Sequence, residues 1–188
     1  VDLSNISCCK VQFSYHNKCC REQNITTIKP GQGFFVKAWM DRCAVPDLNG
    51  PEFKNEPVGV ICKNDEFNYS NAAVYSGNEN GEGIDSMNYQ LVSPLQKPGK
   101  SINYNGLFSF KKPIKFSGFP NKMAPKPQGF HFDKQTGDLR FTPVKKQTTV
   151  MAVAVNQYKD GKVVGQVRRD MQFSVRNCPE NQSPEISG

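Results

Sequence analysis

Apolar residues fall at every second position in the clearest stretch of the chain. From Asp170 to Arg176, Met171, Phe173 and Val175 alternate with Asp170, Gln172, Ser174 and Arg176, setting one side of a strand toward a core and the other toward water. The stretch before it, Val150 to Val155, carries small or branched residues at almost every position and reads as a strand buried on both faces. Between them, Asp160-Gly161 supplies two residues that tolerate positive φ, as a type I′ turn requires. The pattern predicts a long hairpin with arms over 150–158 and 163–178. An arm buried on both faces needs neighbours on both, so the hairpin belongs inside a sandwich.

Shorter β-patterned runs precede it. Lys10 to Tyr15, Asn24 to Ile28 and Gly33 to Met40 are separated by polar and Pro/Gly punctuation, and the third carries Trp39, expected in a core. Residues 41–57 lack periodicity and make a natural boundary, after which Val58 to Cys62 opens a second block. Glu66 to Tyr69, Met87 to Val92, Phe130 to Phe132 and Leu139 to Thr142 are further short strands, the last two joined by a turn over 133–138. Residues 96–128 read as a long ordered loop held by Tyr104, Phe108, Phe110, Phe116 and Phe119. Nowhere do apolar residues keep a helical period over three turns, so the expected fold is all-β.

Composition supports a packed core: hydrophobic residues make up 37% and aromatics 11%, which argues against wholesale disorder. No apolar run approaches the ~20 residues of a membrane helix, so no membrane span is expected. Val1-Asp2-Leu3-Ser4 lacks the charged and apolar regions of a leader peptide, and the expectation is a mature product or an excised fragment. The net charge of +7 is spread over pairs such as Lys111-Lys112, Lys145-Lys146 and Arg168-Arg169. Scattered pairs describe a solvated basic surface better than a nucleic-acid tract, and anionic glycans or an acidic envelope are the partners such a charge would favour.

Seven cysteines, at 8, 9, 19, 20, 43, 62 and 178, point to disulfides in an oxidising compartment, with at least one thiol left free or paired outside the chain. Pairing Cys62 with Cys178 would tie the first and last strands of one domain. The two Cys-Cys doublets stay unassigned. A zinc site from Cys8, Cys9, Cys19, Cys20 and His16 is the alternative, though the spacing lacks a Cys-x-x-Cys knuckle.

Catalytic signatures are sparse. His16 and His131 sit in no metal motif, and the chain holds neither a Gly-x-Ser-x-Gly elbow nor a phosphate-cradling loop. Asp133 and Asp138 flank a turn, where Asp is expected for local hydrogen bonding. A pair of carboxylates facing each other across a cleft stays open as an enzyme reading. Arg169 falls on the inward side with Val167 and Met171. It reads as a structural Arg–Asp pair or a bulge that turns it outward, with an anion or glycan contact as the alternative.

Phe13-Ser14-Tyr15 leading to Cys19-Cys20-Arg21 and Asn24-Ile25-Thr26 resembles a stretch of large secreted surface proteins of the Bacteroidetes, of the PKD-containing and gliding-motility-associated type exported by type IX secretion. The resemblance continues through Cys43, Cys62, Asp85 to Leu91 with Pro94-Leu95, Phe132-Asp133 to Thr136-Gly137, and Phe141-Thr142-Pro143. It closes with Tyr158 to Gly161 and Gly165 to Gln172, ending at Cys178. It implies Ig-like or cadherin-like β-sandwich modules. Residues 1–52 would be the C-terminal part of one module or a small disulfide-rich β module, 53–178 a sandwich, and 179–188 a linker. Alternatively, the N-terminal strands fold onto the second sandwich. It also implies calcium at a loop where this chain reads Asn78 to Ser86, with Asp85 in place and Glu79 and Glu82 displaced; a plain acidic loop is the competing reading.

The expected function is a non-catalytic extracellular segment of a bacterial surface adhesin or gliding-associated protein. It would serve as spacer or contact domain beside other domains of the same chain, surface glycans or envelope proteins. The alternative is a carbohydrate-binding module stacking sugar on Tyr104, Phe108, Phe110 and Phe119. No cofactor other than calcium is expected.

Overall fold

The computed structural model describes residues 7–21, 24–46, 48–75, 83–118 and 129–179. Thirteen strands follow in chain order: β1 Lys10–Asn17, β2 Phe34–Asp41, β3 Glu52–Phe53, β4 Val60–Cys62, β5 Phe67–Ser70, β6 Ala73–Val74 and β7 Ser86–Val92. Then come β8 Leu95–Lys97, β9 Lys100–Ser101, β10 His131–Phe132, β11 Asp138–Phe141, β12 Gln147–Lys159 and β13 Lys162–Arg176. No helix occurs among the described residues, and the fold is all-β.

The hairpin β12–β13 is the axis. Its turn has φ of 49° at Asp160 and 70° at Gly161, the two positive values of the predicted turn type. The main sheet runs β7-β12-β13-β2-β8-β9, with β1 on the free side of β2 and β4 parallel to the end of β13. A register shift at Gln157 and Tyr158 brings Gln157 opposite Gly165. A Cβ on Gly165 would lie 2.4 Å from Gln157 Oε1, and Gln157 is fixed by its amide donating to the Asn49 carbonyl at 2.8 Å. The glycine keeps the buried amide and the strand in register.

β12 is buried almost throughout, because each of its faces has its own cover. On one face Met151, Val153 and Val155, with Met171, Phe173 and Val175 of β13, pack against Tyr69, Leu139 and Phe141 of a second sheet, β10-β11-β5. On the other, Val150 packs with Ile25, Ile28, Ile102 and Tyr104, contributed by segments outside the strands. Trp39 is half-buried, with the Lys10 ammonium 5.7 Å from its ring centroid.

β1 and β2 lie in the same sheet as β12 and β13, so the division expected at residue 52 does not separate two sheets. The region 96–118, expected as loop, contributes part of β8 and all of β9. Beyond them it is anchored by the fully buried Ile114 and by bridges from Tyr104 to Ile28 and Phe116 to Pro143.

Phe173 is fully buried, its ring 5.5 Å edge-on from that of Phe67. Phe173→Ala should lower the free energy of urea unfolding by about 3–5 kcal/mol. A loss below about 1 kcal/mol would show that the two sheets do not meet at this ring.

Candidate functional site

The main sheet forks. β2 hydrogen-bonds with β13 only over Ala38–Met40, and its N-terminal half turns away to meet β8 at Phe35 and Leu95. Arg21 fills the fork. Its guanidinium grips the Asp170 carboxylate with two bonds, at 2.5 and 3.0 Å, and donates to the carbonyls of Gly33 at 3.1 Å and Leu95 at 3.1 Å. The two side chains are only 6% and 5% exposed. Burial pushes the Asp170 carboxyl above its usual range, and the bonds from Arg21 pull it back. The other side of the guanidinium is taken by the Phe34 ring, 5.0 Å to the centroid. Gly33 permits the close approach: a Cβ there would sit 2.6 Å from the Gln96 carbonyl oxygen and 2.9 Å from that of Asn17.

Above this pair opens a cleft of about 250 Å³, lined by Tyr15, Asn17, Arg21, Phe34, Asp170 and Gln172. A second hollow of about 350 Å³ adjoins it, lined by Phe13, Tyr15, Val36, Lys37, Ala38 and Arg168. Tyr15 belongs to both. Its ring lies 6.1 Å from that of Phe34 at 60° and is 62% exposed, while Phe13 is 37% exposed. Residues 13, 15, 36 and 38 share one sheet face through the β1–β2 register. Arg168 donates to the Ser93 carbonyl at 2.6 Å, and burial draws its pKa below the ordinary arginine value.

A third depression, about 450 Å³, lies on the outer surface of β5 and β11 among Asn68, Ser70, His131, Asp133, Asp138 and Arg140. Much of this polarity is engaged locally. Asp133 accepts from the backbone N–H of Gln135 at 2.6 Å and Thr136 at 3.0 Å, which holds its carboxyl below the usual range. Arg140 donates to Asn68 at 2.6 Å and pairs with Glu66 at 3.4 Å, a cross-strand polar ladder facing solvent.

Of the residues singled out from sequence, Glu79, Glu82 and Phe119 lie outside the described residues. Asp85 serves the hairpin turn: its carboxylate accepts from the Asp160 N–H at 2.6 Å and meets the Lys159 ammonium at 3.4 Å. Cys62 and Cys178 lie at disulfide distance with Cα atoms 5.4 Å apart, as do Cys9 with Cys43 and Cys19 with Cys20. The zinc reading fails on geometry, because all of β1 separates the two doublets, about 26 Å of extended chain. Tyr104 is no exposed platform: its ring packs with Ile25, Ile28 and Ile102, and its hydroxyl donates to the Val150 carbonyl at 3.0 Å. Phe108 and Phe110 are half-buried, with the Lys111 ammonium 5.8 Å from the Phe110 centroid.

Arg169 neither pairs with Asp170 nor turns outward. It stays on the inner face, 3.8 Å over the Phe53 ring, and donates to the Asn55 carbonyl and the Tyr69 hydroxyl. The partner of Asp170 is Arg21, 149 residues away. Sequence reasoning singled out neither Arg21 nor the Tyr15–Phe34 pair as a site. The available signal is that Asp170, read as facing water, lies opposite an arm that reads as buried on both faces, so its side of the sheet is covered too and the acid demands a cation.

Removing one member of the buried pair should cost far more than replacing both. Asp170→Asn and Arg21→Met should each destabilise by about 3–5 kcal/mol, because one desolvated group is left without its counterpart. The double variant Arg21→Met/Asp170→Leu should recover most of that loss. Additive single losses in a denaturant double-mutant cycle would show that the two groups do not act as a pair.

No family model, no curated protein and no solved structure matches this chain.

Proposed function

We propose that this chain is a non-catalytic extracellular β-sandwich segment, a spacer and contact domain within a long bacterial surface adhesin or gliding-associated protein. The three cysteine pairs at disulfide distance fit a secreted or extracellular protein, and no described helix is long and apolar enough to cross a membrane.

The observation that carries the reading is the covalent route through the molecule. Cys9 precedes Lys10, which pairs with Asp41 beside the Met40–Gly165 contact, near the hairpin turn. Cys178 follows the opposite end of β13. The chain therefore enters and leaves near the two ends of a strand, separated by about 36 Å between Gly165 and Arg176. Each point is cross-linked: Cys9–Cys43 shunts 34 residues and Cys62–Cys178 shunts 116. Between the shunts only 43–62 can be drawn out, to at most about 65 Å. Tension would thus lengthen the module by only about 30 Å, whereas the reduced chain from 9 to 178 would reach on the order of 590 Å. A module that passes load while barely extending suits a spacer.

Pulled in optical tweezers from attachment points just outside Cys9 and Cys178, the oxidised protein should yield by about 30 Å at most. After reduction, or in a Cys62→Ser/Cys178→Ser variant, the same pull should release several hundred Å. A release of several hundred Å from the oxidised protein would overturn the proposal.

A further inference from the structure

We infer that the free edge of β1 pairs with the same edge of a second copy, antiparallel about a two-fold axis at Phe13, so that two main sheets join into one. This goes beyond the function proposed above and does not rest on it.

The edge is open and undefended. Among the described residues no strand pairs with the side of β1 that faces away from β2, and every residue of β1 except Val11 is exposed. Native sheet edges are usually blunted by proline, by a bulge or by charge. β1 has no proline, its register with β2 is unbroken from Lys10 to Asn17, and its only Lys, Arg, Asp or Glu is Lys10 at the first position.

The backbone pattern tells which groups wait at that edge. The Arg42 N–H donates to the Cys9 carbonyl at 2.7 Å, which marks Cys9 and Arg42 as a hydrogen-bonded pair. Such pairs alternate with non-hydrogen-bonded ones along an antiparallel ladder. Val11, Phe13, Tyr15 and Asn17 therefore bond to β2, and the N–H and C=O groups of Lys10, Gln12, Ser14 and His16 point outward. An axis at Phe13 is the one antiparallel alignment of β1 with itself that matches all four residues, Lys10 with His16 and Gln12 with Ser14. Centring on Ser14 instead would set Lys10 against Lys18, like charge on like.

The side chains favour the same alignment. Val11, Phe13 and Tyr15 share a face with Met40, Ala38 and Val36, and the next registers carry that face on to Val167 and Val155. It is the inner face, roofed by the second sheet over β12 and β13. Toward β1 the roof ends, leaving Phe13 and Tyr15 exposed beside the largely apolar groove of about 350 Å³. Directly opposite residues of an antiparallel pair lie on one face, so Phe13 meets Phe13 and Tyr15 meets Val11 of the second copy. The Phe13 pair falls at a non-hydrogen-bonded position, where side chains approach most closely. The pairing thus covers rings that the second sheet leaves bare. A single strand edge buries less than the roughly 1,200 Å² of a tight complex, so the association is reversible.

Sedimentation equilibrium of the intact oxidised chain, at concentrations on the order of 5–500 µM, should show the 21.1 kDa monomer passing reversibly to twice that mass. Cys8→Ser should behave identically, because the free Cys8 lies opposite Lys18 in this alignment. Ser14→Pro removes an outward donor and spares the bonds to β2; it should weaken association at least about tenfold with an unchanged melting temperature. Phe13→Lys and Phe13→Glu should each weaken it about tenfold, and their equimolar mixture should restore it, because residue 13 faces its own counterpart across the axis. Three results overturn the inference: a monomer throughout, undiminished association of a folded Ser14→Pro, or a charge-swapped mixture that associates no better than its parts. A foreign strand as the true occupant would give the first of these. None of them bears on the extension measured under load, so the two readings fail separately.

Discussion

A strand with no solvent face imposes the architecture. Val150 to Val155 are all buried, with four of the six at 0% exposure, so both sides of β12 must be roofed. Burying each such side chain contributes roughly 1.5–3 kcal/mol for the larger residues, and this holds only while both covers stay in place. The inner cover is a regular sheet, β10-β11-β5, that brings Leu139 and Phe141 down onto the hairpin. The outer cover is irregular chain, which must find partners for its backbone without a ladder. It does so piecemeal: the Thr26 N–H donates to the Thr148 carbonyl, Lys29 N–H to that of Asn103, and Asn105 N–H to that of Thr27. The Asn105 side chain adds bonds to Thr26 and Ile28.

Bringing that outer segment across the sheet also delivers Arg21 to the fork between β2 and β13. A buried ion pair is rarely a large net gain over apolar residues of the same size, because desolvation consumes most of the attraction. Its value here lies in geometry. One planar guanidinium contacts Gly33 at the entrance to β2, Leu95 at the start of β8 and Asp170 within β13. These bonds come together at one angle of splay, and Phe34 covers the remaining face. The fork that Arg21 holds open is also what creates the cleft under Tyr15, so the stability of the sheet and the shape of the groove rest on the same side chain.

How much of this could be read from sequence follows from what alternation encodes. A period of two tells which residues share a face, and it gave the hairpin, its turn and the doubly buried arm. It does not tell which strand lies alongside. β2 touches β13 through three residue pairs only, with Met40, Trp39 and Ala38 opposite Gly165, Gln166 and Val167, and nothing in either segment names the other. Sequence therefore leaves two arrangements open, a boundary at residue 52 or N-terminal strands that fold onto the second sandwich, and the structure has β1 and β2 in a shared sheet with β12 and β13. Charge partners failed in the same way. An Arg–Asp pair at Arg169 suggests its neighbour Asp170, but adjacent residues on a strand point to opposite faces. Arg169 is directed to Phe53 and Tyr69, and Asp170 to Arg21. Tyr104 is legible in the other direction: an aromatic in a Pro/Gly-rich stretch reads as an anchor for the loop, and it supplies part of the outer cover that β12 requires, which removes it from the exposed sugar platform of the alternative reading.

The cross-links and the groove are related by where tension travels. Force entering at Cys9 passes to Cys43 through sulfur and bypasses β1 and β2 entirely. Force leaving at Cys178 is handed over from Cys62 and bypasses β5 to β13. The segment between, 43–62, carries β3 and β4, so the load falls on the β3–β6 pairing and on the three residue pairs that join Val60–Cys62 to Ser174–Arg176. Peeling those three pairs costs little compared with shearing the β12–β13 ladder, which extends over both long arms. Load is thus directed onto short, expendable pairings, while the strands that build the Tyr15 face are enclosed within covalent loops. If the chain is the spacer proposed above, a surface enclosed in such a loop keeps its shape under the tension the spacer transmits.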